Sequence, residues 1–128
     1  MNAYVDLCEN CYSDLYRIAY LTMGDVAVAS ELVEKTCVRG VYICAHMKDQ
    51  RGIKIALTGE LYRYSLEKLL TYVPKAFNGK DPLANYTAQE RLLVLMRFRS
   101  GLRLSELSNA LAIPADEISR KISQILSS

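Results

Sequence analysis

The sequence predicts an all-α protein: two small helical domains joined by a short linker. Three observations carry this. Apolar residues recur at spacings of three and four through most of residues 3–72, and again from Thr87 to Leu126, the period of a helix with one buried face. Residues 74–86 (PKAFNGKDPLANY) hold two of the three prolines and an Asn-Gly pair without periodicity, the composition of a connection. No stretch reads as a strand. The boundaries that follow are an N-terminal helical domain over 1–73, a linker over 74–86 and a C-terminal domain over 87–128.

Residues 3–22 form the first expected helix, with Val5, Cys8, Tyr12, Leu15 and Ala19 on its buried stripe and the polar Thr22 at the next place. Gly24 ends it, and Asp25 is placed to cap the next. That second helix, about 26–47, should bury Ala29, Leu32, Val33, Thr36, Cys37, Val41 and Cys44. The turn between the two is so short that they should pack antiparallel. Residues 48–52, KDQRG, read as a polar break. A third helix, about 53–72, carries Ile53, Leu57, Leu61, Leu66 and Leu69, with Gly59 as a weak point, because glycine costs a helix conformational entropy.

After the linker, Thr87 and Glu90 have the spacing of a capping box, in which hydroxyl and carboxylate satisfy orphan backbone donors reciprocally. Leu92 to Met96 is apolar on nearly every face, as in a helix enclosed by neighbours. Ser100-Gly101 stops it, since glycine enters the left-handed region without a Cβ penalty. Leu104, Leu107 and Leu111 form the next stripe, and Ala112-Ile113 turns the chain. Pro114 suits the first position of a last helix, where its missing N–H is not needed. Asp116 and Glu117 complement that helix's dipole, and Ile118, Ile122 and Ile125 are its buried stripe. Helix, tight turn, helix is the helix-turn-helix pattern, with the last helix as the groove reader.

Composition bounds the function. With 51% hydrophobic and 23% charged residues the chain should fold as an ordinary soluble domain rather than remain disordered. No apolar run approaches a membrane span, and MNAYVDLCEN lacks the basic-then-apolar pattern of a leader, so the expected location is the cytoplasm. Net charge is +2, distributed as −1 over residues 1–70 and +3 over residues 71–128. The excess lies at Arg91, Arg97, Arg99 and Arg103. The last three can clamp phosphates or simply solubilise an apolar helix. On the final helix Ser119, Arg120, Lys121 and Gln124 have the chemistry to read base edges. Its solvent face holds two acids and two bases, so unaided DNA binding should be weak.

Four cysteines invite a metal or redox reading. Cys8 and Cys11 have C-x-x-C spacing, and an antiparallel hairpin would bring Cys37 and Cys44 beside them, with His46 nearby. The competing reading is four small core residues on or beside apolar stripes, without metal or cofactor. A single histidine, no phosphate loop and no Ser/His/acid grouping argue against an enzyme. Asp14, Glu31 and Glu34 read as a solvated face, and His46 as a solvated helix end.

Glu90-Arg91, Arg97, Gly101-Leu102, Ser105-Glu106-Leu107 and Leu111 together resemble the C-terminal domain of bacterial sigma factors of the extracytoplasmic-function type. The stretch Gly24-Asp25 followed by Ala29-Ser30-Glu31-Leu32-Val33-Glu34-Lys35-Thr36 is similar to the segment by which that family binds core RNA polymerase, although Lys35 reverses a charge there. The resemblance implies a transcription initiation subunit that contacts polymerase through Glu31, Leu32, Glu34 and Lys35 and double-stranded promoter DNA through the helix-turn-helix, with an anti-sigma protein as a further candidate partner. The third helix departs from the family. There is no Trp in the chain, and its basic residues reduce to Arg63 and Lys68, opposed by Glu60 and Glu67. Those departures suit an alternative: a degenerate sigma-like protein that regulates through a protein partner and reads little DNA itself.

Overall fold

A computed structural model describes residues 2–75 and 83–127, with the side chains of residues 2–5 and 7 outside that description. Six helices make up the element order: α1 Asn2–Met23, α2 Val26–Ile43, α3 Gln50–Leu69, α4 Ala88–Arg99, α5 Leu104–Leu111 and α6 Ala115–Ser127. Among the described residues there is no strand, and the protein is all-α. The local signals account for most helix ends. Gly24 (φ +70) follows α1 with its N–H on the Tyr20 carbonyl, and Gly101 (φ +74) follows α4. Asp25 caps α2 by accepting the Val28 N–H. Thr87 and Glu90 form both bonds of the capping box at 3.1 and 2.9 Å.

Four boundaries differ from the expectation, one of them the end of α3, which stops at Leu69 with Leu70 and Thr71 in a turn. The polar break is shorter, because Asp49 accepts the Arg51 N–H as N-cap and Gln50, Arg51 and Gly52 become the first turn of α3. At its other end α2 stops at Ile43, with Cys44 to His46 in a turn. Pro114 stands one place outside α6; its carbonyl accepts the Ile118 N–H at 3.0 Å, the role of an N-cap. The turn before it is closed by Ala112 in the left-handed region (φ 57) and by the Ser108 hydroxyl, which donates to the Ile113 carbonyl at 2.6 Å.

Residues of both halves enclose one apolar core that includes Ile18, Met23, Leu57, Leu92, Met96, Leu107 and Ile118. In it α1 packs against α2, α3 and α4; α3 packs against α2, α4 and α5; and α6 closes over α4 and α5. Burial rotates two expected stripes. On α1 the core face is Leu15, Ile18, Ala19, Thr22 and Met23, whereas Tyr12 is 37% exposed and Val5 lies outside the described side chains. On α2, Ala29, Leu32, Val33 and Thr36 are buried as expected, as is Cys44 just after it, but Cys37 is half-buried and Val41 is 54% exposed. Thr22 and Thr36 turn their hydroxyls back to the carbonyls of Ile18 and Leu32, which lets a polar residue sit in the core.

Three contacts tie the halves. Gly59 of α3 lies against the backbone of Ala110 in α5, so closely that a Cβ there would overlap the Ala110 carbonyl oxygen. The buried Arg91 of α4 donates to the Thr22 carbonyl at 2.7 Å and to the Tyr86 carbonyl at 2.9 Å. Arg51 of α3 forks onto Glu106 of α5 at 2.6 and 2.7 Å and donates to the Gly101 carbonyl at 3.0 Å. In the expected linker, Lys75 is held against the α1–α2 turn: its N–H donates to the Met23 carbonyl, and its ammonium pairs with Asp25 at 2.9 Å. Residues 83–86 form a turn, and the Asn78-Gly79 pair lies outside the described residues.

The Arg51 guanidinium, and then the Arg103 N–H, hold the Glu106 carboxyl at about 2, below its ordinary value of 4.5. A carboxyl lowered by folding adds stability that is present in full above the unfolded value and lost as pH falls through the folded one. Glu106→Gln should therefore flatten the fall of melting temperature between about pH 4.5 and about pH 2. Superimposable acid limbs in the two proteins would show that the fork contributes nothing.

Candidate nucleic-acid and protein-binding surfaces

The helix-turn-helix unit is formed by α5, the Ala112-Ile113 turn and α6. Ile118, Ile122 and Ile125 bury the inner face of α6, which leaves Ser119, Arg120 and Gln124 exposed and Lys121 half-buried. Three of these expected DNA contacts are already engaged within the helix. Lys121 pairs with Glu117 at 3.4 Å, and Arg120 reaches the Gln124 side-chain oxygen at 3.5 Å. Lys121 and Gln124 also line a cleft of about 570 Å³ with Tyr62 and Leu66 of α3 and with Gln89, Glu90 and Leu93 of α4. Half of the expected reading face thus borders a concave wall built by α3 and α4.

The three arginines near α4 part company. Arg97 is half-buried with its guanidinium 5.5 Å from the Phe98 ring, Arg103 is exposed at the start of α5, and Arg99 flanks α1. None of the three has an ion pair among the described residues, unlike Lys35, Arg39, Arg51, Arg63, Lys68, Lys75 and Lys121.

On α2 the expected polymerase contacts divide. Leu32 is turned into the core at 2% exposure, so its part is packing rather than contact with a partner. Glu31 pairs with Lys68 at 3.6 Å and Lys35 with Glu67 at 3.9 Å, both across to α3, and the Lys35 ammonium lies 4.7 Å from the Tyr64 ring centroid. Such exposed pairs are each worth about 0–1 kcal/mol, so a partner could take them apart cheaply. Glu34 instead lines an apolar groove of about 690 Å³ between α1 and α2, with Cys8, Glu9, Tyr12, Cys37, Val38 and Val41. Val38 and Val41 are exposed in its wall. The sequence did not point to this groove, because Tyr12, Cys37 and Val41 were expected in the core.

The cysteines do gather at the α1–α2 interface. Burial pushes the Cys11 and Cys44 thiols up, and burial together with the hydrogen bond to Cys8 pushes Cys37 up to about 12. Thiols so placed stay protonated near neutral pH, and the thiolate is the form that ligates and attacks. Among the described residues no group of three His, Cys, Asp or Glu side chains is arranged to hold a metal ion. No helix among them is long and apolar enough to cross a membrane. His46 is exposed in the turn after α2.

No protein-family model, no curated protein and no solved structure matches this chain.

Proposed function

We propose that this chain is a sigma-factor-like transcription initiation protein, which engages core RNA polymerase through the exposed face of α2 and promoter DNA through α6. The observation that supports it most is the α5–turn–α6 unit. Its left-handed Ala112 and three-isoleucine stripe leave Ser119, Arg120 and Gln124 on an open helix face, where a groove reader needs them. Polymerase contact then falls to Glu31, Glu34 and Lys35, with Leu32 supporting them from beneath. The mechanism is recruitment and recognition, without covalent chemistry.

The test is binding of the purified protein to core RNA polymerase, wild type against Glu31→Lys/Glu34→Lys, followed by run-off transcription. Binding lost in the variant, together with specific transcripts, is the expected result. In the same assembly Arg120→Ala should cost about 1–3 kcal/mol in promoter affinity and relax sequence preference, if Arg120 meets a base. Affinity unchanged on every duplex would remove it as a reader.

A second reading has its own observation. The charges of Glu31 and Lys35 are spent on α3, and α5 sits on the α3 helix that the family resemblance would give to DNA. A closed arrangement of this kind suits a degenerate sigma-like protein that regulates through a protein partner. Polymerase binding without transcripts would favour it.

A further inference from the structure

Along α1, Tyr12, Tyr16 and Tyr20 follow one another at intervals of one helical turn. Their rings form a row, with centroids 6.3 and 6.2 Å apart and planes within 10° and 6° of parallel. The row is not enclosed: Tyr12 and Tyr20 are each 37% exposed. At its C-terminal end the row meets Arg99, the last residue of α4, across a cleft of about 380 Å³ walled by Ser13, Tyr16, Arg17, Tyr20 and Leu21. Two guanidinium groups, from helices far apart in sequence, therefore border the same aromatic wall.

Both groups are exposed, and neither has an ion pair among the described residues, whereas seven other cations there do. Asp14, the acid nearest in sequence to Arg17, lines a neighbouring crevice with Cys11, Lys54 and Ser100 and forms no ion pair among the described residues. Open aromatic rings beside unneutralised arginines are the elements with which proteins hold an unpaired strand: the ring takes the face of a base and the guanidinium its phosphate. A duplex is a poor fit, because its base faces are covered by stacking. The cleft is of the size that takes one small-molecule ligand, about 300 Å³ or more.

We propose that this α1–α4 cleft binds single-stranded nucleic acid, with one nucleotide seated so that its base lies against Tyr16 and Tyr20 and its phosphate between Arg17 and Arg99. The site shares no residue with α6 or with the α2 surface, so its failure and that of the transcription reading are separable.

The test is fluorescence anisotropy of the full chain with labelled oligothymidylate and oligouridylate of about 12 nucleotides, within the usual site size, and with a duplex of the same length. Saturable binding of a single strand in preference to the duplex is expected, and the two strands distinguish a DNA from an RNA ligand. Arg17→Ala/Arg99→Ala should weaken it about tenfold or more and reduce the salt slope by about 0.7, the share of the one phosphate that the two arginines hold. Tyr16→Leu, which keeps apolar bulk against the helix, should weaken it about fivefold or more at an unchanged salt slope. Lys48→Ala, an exposed cation remote from the cleft, should leave single-strand binding unaltered, and all variants should melt as wild type does. The proposal is overturned by absence of saturable binding to both strands. It is equally overturned by the wild-type affinity in the double arginine variant, or by an equal loss in Lys48→Ala.

Discussion

Gly59→Ala should melt at a lower temperature than wild type, while Gly52→Ala in the same helix melts higher. Glycine costs a helix interior about 1 kcal/mol relative to alanine, a gain open in full to Gly59 and in part to Gly52 in the first turn. At Gly52 the added Cβ would meet Asp49 Oδ2 at 3.5 Å, ordinary van der Waals contact, and most of the gain survives. At Gly59 it would overlap the Ala110 carbonyl oxygen, with the Ala110 carbonyl carbon at 3.2 Å. Backbone cannot swing aside as a flexible side-chain tip can, so α5 must move off α3. Overpacking of this kind costs about 1–3 kcal/mol, occasionally more, and here the obstacle is main chain, which points to the upper part of that range. Thermal or urea unfolding of the three proteins checks it. Equal stabilisation by the two alanines would mean that α3 and α5 do not meet as closely as Gly59 and Ala110 indicate.

Arg91→Leu should be more damaging. The side chain is buried at 6% exposure, and its two terminal nitrogens satisfy the carbonyls of Thr22 in α1 and Tyr86 at the end of the connection. Hydrogen bonds to a charged group contribute about 1.5–3 kcal/mol each, and removing the donor leaves both acceptors without that partner, Thr22 in a dry place and Tyr86 in a partly buried one. A loss of about 3 kcal/mol or more is expected, a large part of the stability of a small domain. Arg91→Lys should fall between, since an ammonium keeps the charge but lacks the planar fork that reaches two carbonyls at once. Urea midpoints of the three proteins are the measurement. Parity of Arg91→Leu with wild type would show that Arg91 is not a tie between the halves.

These two residues mark the limit of what was legible in the chain. Gly59 read only as a helix weak point, and Arg91 only as part of a basic patch and of the family pattern. Both acquire their role from partners far away in sequence, Ala110 for the glycine and Thr22 for the arginine. The Arg51–Glu106 fork spans 55 positions and was equally invisible. The same holds for the candidate surfaces. Arg99 was singled out for its charge, but its position beside Tyr16, Arg17 and Tyr20 depends on how α4 crosses α1. Leu32 carried the family pattern for a contact residue, yet it lies inside, because the stripe that α2 turns inward runs through Ala29, Leu32, Val33 and Thr36.

What the sequence determined by itself was whatever lies within about one helical turn. The capping box of Thr87 and Glu90, the glycines that end α1 and α4, the enclosed run Leu92–Met96 and the isoleucine stripe of α6 all follow from groups a few residues apart. Neighbours at i+3 and i+4 meet in any helix, whatever surrounds it. That was enough for an all-α chain with a helix-turn-helix at its end. Tertiary structure alone decided which side of α1 and α2 faces inward, that the two halves share one core, and which cations remain without a carboxylate. Those outcomes depend on the rotation and crossing of packed helices, set by the fit of many side chains distant in sequence rather than by the period of any one segment.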